Sequence, residues 1–137
     1  MRFQKTTEYA IRVMVHLAAN PDHRISARKL SEQLVIPYKY LGRLMSKLAA
    51  AGLVDVELGV AGGYKIVKPL DSINLFQIAK VVEGTEDYER CILGFPECSD
   101  DHSCALHNIW AGQREAIKNM LLQTSLEDLG TDIHKPA

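Results

Sequence analysis

Cysteine and histidine are the side chains here best suited to hold a metal, and one stretch concentrates them. From Cys91 to His107 the chain reads C-I-L-G-F-P-E-C-S-D-D-H-S-C-A-L-H. It contains all three cysteines of the 137-residue protein, Cys91, Cys98 and Cys104, spaced C-x6-C-x5-C, with a histidine at C-x2-H after the last. Cysteine thiolates bind iron in iron–sulfur clusters, where histidine sometimes replaces a cysteine and raises the potential. Three Cys and one His are also a standard structural zinc set. Zinc sites usually use tight C-x2–4-C knuckles, however, and none occurs here. Three unrelated core cysteines are the third reading, and a polar stretch rich in Asp and Glu makes a poor core. Gly94, Pro96 and the intervening polar residues suit a loop folded around a cluster.

These thiols are expected to be reduced. Three cysteines cannot all pair within one chain. The N-terminus M-R-F-Q-K-T-T-E lacks the apolar region of a signal peptide. No apolar run approaches the roughly 20 residues that a transmembrane helix needs. A cytoplasmic protein without membrane contact is expected, and disulfides are disfavoured there. Enzyme chemistry is not expected either. No nucleophile–base pair, phosphate loop or acidic dyad stands out, and Gly59 and Gly62-Gly63 precede no helix, so they form no nucleotide fingerprint.

Charge divides the chain in two. Residues 1–69 carry eleven Lys and Arg against five Asp and Glu, a surplus of six positive charges. Residues 70–137 carry five against twelve, a surplus of seven negative ones. A basic N-terminal half suggests a polyanionic partner, and the acidic half would not add to that contact.

The elements that position these residues follow from apolar periodicity. Ala10, Val13, Met14, Leu17 and Ala18 share one face of a helix over about 7–20, ended by Asn20-Pro21-Asp22. Ser26 starts a second, short helix with Leu30 and Leu34 inward. Leu34-Val35-Ile36-Pro37 reads as a turn, because a residue before proline avoids the helical region. A third helix over 37–51 buries Leu41, Leu44, Met45 and Leu48 and stops at Gly52. Leu53–Glu57 alternates as a strand, the residues from Leu58 to Gly63 make a glycine-rich turn, and Tyr64–Lys68 returns.

Three helices followed by a hairpin is the winged helix-turn-helix order. A further helix spans about 74–83, with Leu75, Ile78, Ala79 and Val82 inward, and a polar, acidic segment over 84–90 follows it. A long helix over 103–122 carries an apolar stripe of Ile109, Trp110, Ile117, Met120, Leu121 and Leu122. A lone helix with that stripe needs a partner surface. A short last helix begins at Ser125, and the tail from Gly130 reads as disordered. The expected architecture is mostly α with a small β-hairpin: a winged-helix domain over 1–70, then linker helix, cysteine loop and dimerisation helix over 71–130, then a flexible tail over 131–137.

The third helix is the expected DNA reader, since a helix in the major groove can distinguish all four base pairs. Lys39, Arg43 and Lys47 recur every four residues as a cationic stripe. Arg43 suits a bidentate contact to guanine, and the lysines suit phosphate. Tyr38 and Tyr40 at the helix start, Arg28 and Lys5 nearby, and Gly62 and Gly63 in the wing turn complete the expected DNA-facing set.

The opening M-R-F-x-K-x-x-E-Y-A, the turn I-P-x-x-Y-L, the strings A-G-L-V and G-G-Y, and the final C-x6-C-x5-C-x2-H occur in that order. Together they resemble the IscR/NsrR/RirA-type bacterial transcription regulators over residues 1 to about 130. The resemblance implies a homodimer with crossing C-terminal helices, a winged helix in each subunit, and a palindromic double-stranded operator. It also implies an iron–sulfur cluster on Cys91, Cys98 and Cys104, with [2Fe–2S] favoured and [4Fe–4S] the alternative. His107 matches a family histidine ligand. Glu8 from the other subunit is its competitor, by similarity to members that use an acidic residue there. Two positions depart from the pattern: Leu58 replaces a wing arginine, and Gly42 replaces a glutamate that discriminates between site types.

Overall fold

The computed structural model describes residues 3–84, 91–93 and 104–130. The elements run α1 (Lys5–Ala18), α2 (Ala27–Leu34), α3 (Tyr38–Ala50), β1 (Asp55–Glu57), β2 (Gly63–Lys65), a 3-10 turn (Leu70–Ser72), α4 (Leu75–Val82), α5 (His107–Gln123) and α6 (Leu126–Leu129). The sequence-based order is present, with boundaries shifted by a few residues.

Local chemistry explains most of the boundaries. The Ser26 hydroxyl caps α2 by accepting the Lys29 N–H at 3.2 Å. At the end of α3 the Leu53 N–H reaches the Leu48 carbonyl and the Gly52 N–H reaches the Ala49 carbonyl, each at 3.0 Å. With Gly52 at φ 77°, this is a Schellman stop, which explains why the helix ends at that glycine. Two further helices begin with reciprocal capping boxes, Asn74 with Gln77 on α4 and Ser125 with Asp128 on α6.

The buried stripes of α1 and α3 meet in one core. Ala10, Val13, Met14 and Leu17 pack with Leu41, Leu44, Met45 and Leu48, and Leu30, Ile73, Ile78, Val82 and Leu126 join the same cluster. Helix α6 closes back on the start of α4: the Leu126 N–H bonds the Ile73 carbonyl at 2.9 Å, and the Leu75 N–H bonds that of Thr124 at 3.0 Å.

The wing is a short antiparallel hairpin in the register Asp55↔Lys65, Val56↔Tyr64, Glu57↔Gly63. Both strands are shorter than the alternation suggested. Tyr64 also exchanges two backbone bonds with Ile25, so the hairpin is fastened to the segment before α2. Arg24 clamps it from the side. Its guanidinium reaches the Asp55 carbonyl at 3.1 Å and the Gly63 carbonyl at 3.3 Å, and pairs with the carboxylates of Asp55 and Glu57. Because both acids are well exposed, the ion pairs themselves contribute little. The carbonyl bonds matter more, and Arg24→Ala is expected to cost about 1–2 kcal/mol in chemical denaturation.

Helix α5 lies against α4 through Leu121, Ile117, Ala79 and Phe76, with Lys118 over the Phe76 ring at 5.7 Å. An adjoining side of α5 faces outward: Ile109 is 64% exposed and Met120 56%. Among the described residues no helix is long and apolar enough to cross a membrane.

Candidate nucleic-acid interface and cysteine region

Helix α3 turns its buried stripe to the core, so its remaining positions must face outward. Tyr38, Lys39, Gly42, Arg43, Ser46 and Lys47 are all exposed. Lys39, Arg43 and Lys47 have no ion-pair partner among the described residues, which leaves their charge available to a polyanion. They line one groove of about 450 Å³ together with Thr6, Pro37, Tyr40 and Leu44.

The expected flanking residues gather around this face. Arg28 lies 5.5 Å from the centre of the Tyr38 ring, which joins α2 to the start of α3. Lys5 lies 5.4 Å from the Tyr9 ring and pairs with Glu8 at 3.5 Å. Tyr40 leans sideways rather than straight outward. Its ring meets Tyr9 edge-on at 5.4 Å, and its hydroxyl is hydrogen-bonded to Thr6. Arg12 covers Tyr9 from another side at 5.9 Å. The sequence reading missed Thr6, Tyr9 and Arg12 as members of this surface. The one available signal was that Thr6 and Tyr9, four residues and one residue before Ala10, carry hydroxyl and aromatic groups, which apolar periodicity does not weigh.

The two wing glycines are placed by packing. A Cβ on Gly63 would lie 2.7 Å from the Ile25 backbone, and one on Gly62 would lie 2.1 Å from the Glu57 carbonyl oxygen. Leu58 and Val60 stand out at the wing tip.

In the cysteine region, Cys91 is buried and Cys104 half-buried, and neither is in a disulfide. His107 is only 6% exposed. It was expected one turn inside the long helix over 103–122, but it is the first residue of α5, and its N–H donates to the Cys104 carbonyl at 3.0 Å. The shift has a local cause: Leu106 occupies the N-cap without a capping side chain, so residues 104–106 form a turn before the helix proper. Cys104 and His107 thus share one turn. Cys98, the acidic segment over 85–90, the expected helix start at Ser103 and the tail over 131–137 lie outside the described residues. Among the described residues no group of three or more His, Cys, Asp or Glu side chains could hold a metal. Glu8 is on α1, half-buried, paired with Lys5 in this subunit.

Comparison with known proteins matches this architecture. The HTH-type transcriptional regulator IscR of Vibrio parahaemolyticus is 29% identical over 133 residues, covering 96% of this chain and 79% of the relative. The structure of CymR, the global cysteine regulator of B. subtilis, superposes with a TM-score of 0.80 at 27% identity, covering 98% of this chain and 99% of that one. T. potens IscR shares the fold, with a TM-score of 0.78 at 21% identity over 98% of this chain and 89% of that one. These relatives are transcription regulators, not enzymes, which makes DNA the partner expected of this chain. A family model described as "Iron-dependent Transcriptional regulator" matches residues 3–132, and the chain belongs to that family, Rrf2.

Proposed function

We propose that this regulator is a cytoplasmic homodimer, a repressor, that binds a palindromic operator through two winged helices. Its affinity is set by an iron–sulfur cluster on Cys91, Cys98 and Cys104. His107 is the favoured fourth ligand and Glu8 of the partner subunit the alternative; [2Fe–2S] is favoured over [4Fe–4S]. Residues 1–70 then read DNA, and residues 71–130 sense and dimerise. The observation that carries this reading is the turn entering α5, where a half-buried thiol and a buried imidazole share one hydrogen-bonded turn. These donors suit iron, and a buried Cys91 suits a shielded cluster. Such a cluster would supply a centre sensitive to redox state or nitric oxide. The outward side of α5, with Ile109 and Met120, supports the dimer.

Likeness to a structure described as the oxidized form of Staphylococcus aureus CymR, at 25% identity and a TM-score of 0.76 over 94% of this chain and 95% of that one, favours one second reading. In it the same cysteines work without a cluster, through thiol oxidation or a protein partner. Anaerobic purification with iron, sulfide and zinc analysis separates the readings. A brown protein with iron and sulfide that loses both in the Cys91→Ala, Cys98→Ala, Cys104→Ala triple variant is expected. A colourless preparation with stoichiometric zinc, or one whose DNA binding is identical in the triple variant, would sink the cluster reading.

A further inference from the structure

We infer that Glu83 is a positioning residue, the link through which the state of the cysteine region reaches the recognition helix α3; the inference rests on the regulatory reading above. Glu83 is the C-cap of α4, eight positions before Cys91. Its carboxylate oxygen Oε2 accepts the Gln4 backbone N–H at 3.0 Å and the Thr7 hydroxyl at 2.6 Å. Gln4 is the N-cap of α1 and offers no side-chain cap of its own. The first-turn N–H groups of a helix have no partners within the helix and carry partial positive charge. A carboxylate from 79 residues away therefore caps α1.

The same turn of α1 is gripped from its other side. Thr7 points into the core and is fully buried, and its neighbour Thr6 points outward and bonds the Tyr40 hydroxyl. Tyr40 also leans on Tyr9, whose ring sits beneath Lys5 and Arg12. Tyr40 lies on α3 three residues before Arg43, on the lip of the cationic groove. The first turn of α1 is thus held between the end of α4 and the start of α3. Apolar packing of α4 on α1 and α3 is non-directional. Hydrogen bonds are directional and weaken steeply when misaligned, so a displaced Glu83 carries Thr6 and Thr7, and with them Tyr40, out of register. Coupling of this kind is reciprocal, so DNA bound on α3 favours the loop state that keeps Glu83 docked.

The test uses the full chain and a duplex selected by the wild-type protein from a random pool. Affinity is measured for the anaerobically purified protein and again after iron chelation, and the ratio of the two dissociation constants is the readout. For wild type the ratio is expected in the range of about 5–150 in either direction. Glu83→Ala, at unchanged iron content, is expected to bring the ratio to within about twofold of one, because both donors on α1 lose their acceptor. Glu83→Gln retains an acceptor oxygen and keeps the ratio within about threefold of wild type, a rescue that a general loss of stability would not give. Thr7→Val removes one of the two bonds, is the milder change should Glu83→Ala fold poorly, and gives an intermediate ratio. A wild-type ratio in both Glu83→Ala and Thr7→Val overturns the inference and assigns the coupling to direct packing of α4 on α3. Loss of iron in Glu83→Ala also overturns it, since Glu83 would then act on the metal. A wild-type protein without iron, or with a ratio of one, sinks the regulatory reading itself.

Discussion

Arg43→Ala is expected to weaken binding to the selected duplex by about 1–3 kcal/mol and to flatten sequence preference at the positions Arg43 reads. The reason is placement. Arg43 is exposed at the middle of α3, between Lys39 and Lys47, on a helix whose opposite stripe is locked into the core by Leu41, Leu44, Met45 and Leu48. A guanidinium fixed in that register can present two parallel N–H donors to guanine, a geometry a lysine does not offer. Lys39→Ala and Lys47→Ala should differ in kind. Each removes a phosphate-type contact, so affinity falls equally on selected and scrambled duplexes, and the slope of log affinity against log salt drops by about 0.9. Titrations by fluorescence anisotropy at several salt concentrations distinguish the two patterns. Equal losses on both duplexes for Arg43→Ala would reassign it to the backbone.

The helical part of this design was legible in the sequence because it rests on short-range rules. The stripes of α1 and α3, the Gly52 stop and the hairpin after it are all encoded within a few residues of where they act. What escaped is long-range or against propensity. Val35 is a β-branched residue in the left-handed region at φ 55°, a conformation such side chains disfavour, so the turn between α2 and α3 could be named but not its geometry. Ser31 holds it in place: its carbonyl accepts the Ile36 N–H at 3.1 Å, and its hydroxyl donates to the Ile36 carbonyl at 2.6 Å. The Arg24 clamp on the wing spans 31 residues to Asp55, and the Glu83 cap on α1 spans 79 to Gln4. No periodicity reports either. The candidate cysteine ligands were read from spacing and resemblance, and the turn joining Cys104 to His107 is the part the structure adds, with α5 beginning one helical turn later than expected.

Two glycines, one in the wing and one in α3, offer a sharper contrast, because they are predicted to respond in opposite senses. Gly63 is buried at φ 141°, and an added Cβ would meet the Ile25 carbonyl carbon and oxygen at 2.7 Å. Those atoms cannot swing aside. Ile25 is bonded to Tyr64 in both directions, at 2.9 and 3.0 Å, so relieving the clash breaks the pairing that fastens the hairpin to the domain. Gly63→Ala is therefore expected to cost about 3 kcal/mol or more, adding backbone strain to a lost backbone pairing. That loss corresponds to a fall in melting temperature of roughly 10 °C for a chain of this size. Gly42, in the middle of α3, has open space where its Cβ would be. There alanine lowers the entropy of the unfolded chain and favours helix, so Gly42→Ala should raise stability by about 0.5–1 kcal/mol. Circular-dichroism melts at matched protein concentration read both, since any dimer makes the midpoint concentration-dependent. A Gly63→Ala protein that melts with the wild type would mean that the wing is not held through Ile25. The clamp by Arg24 would then be what fastens the wing to the domain.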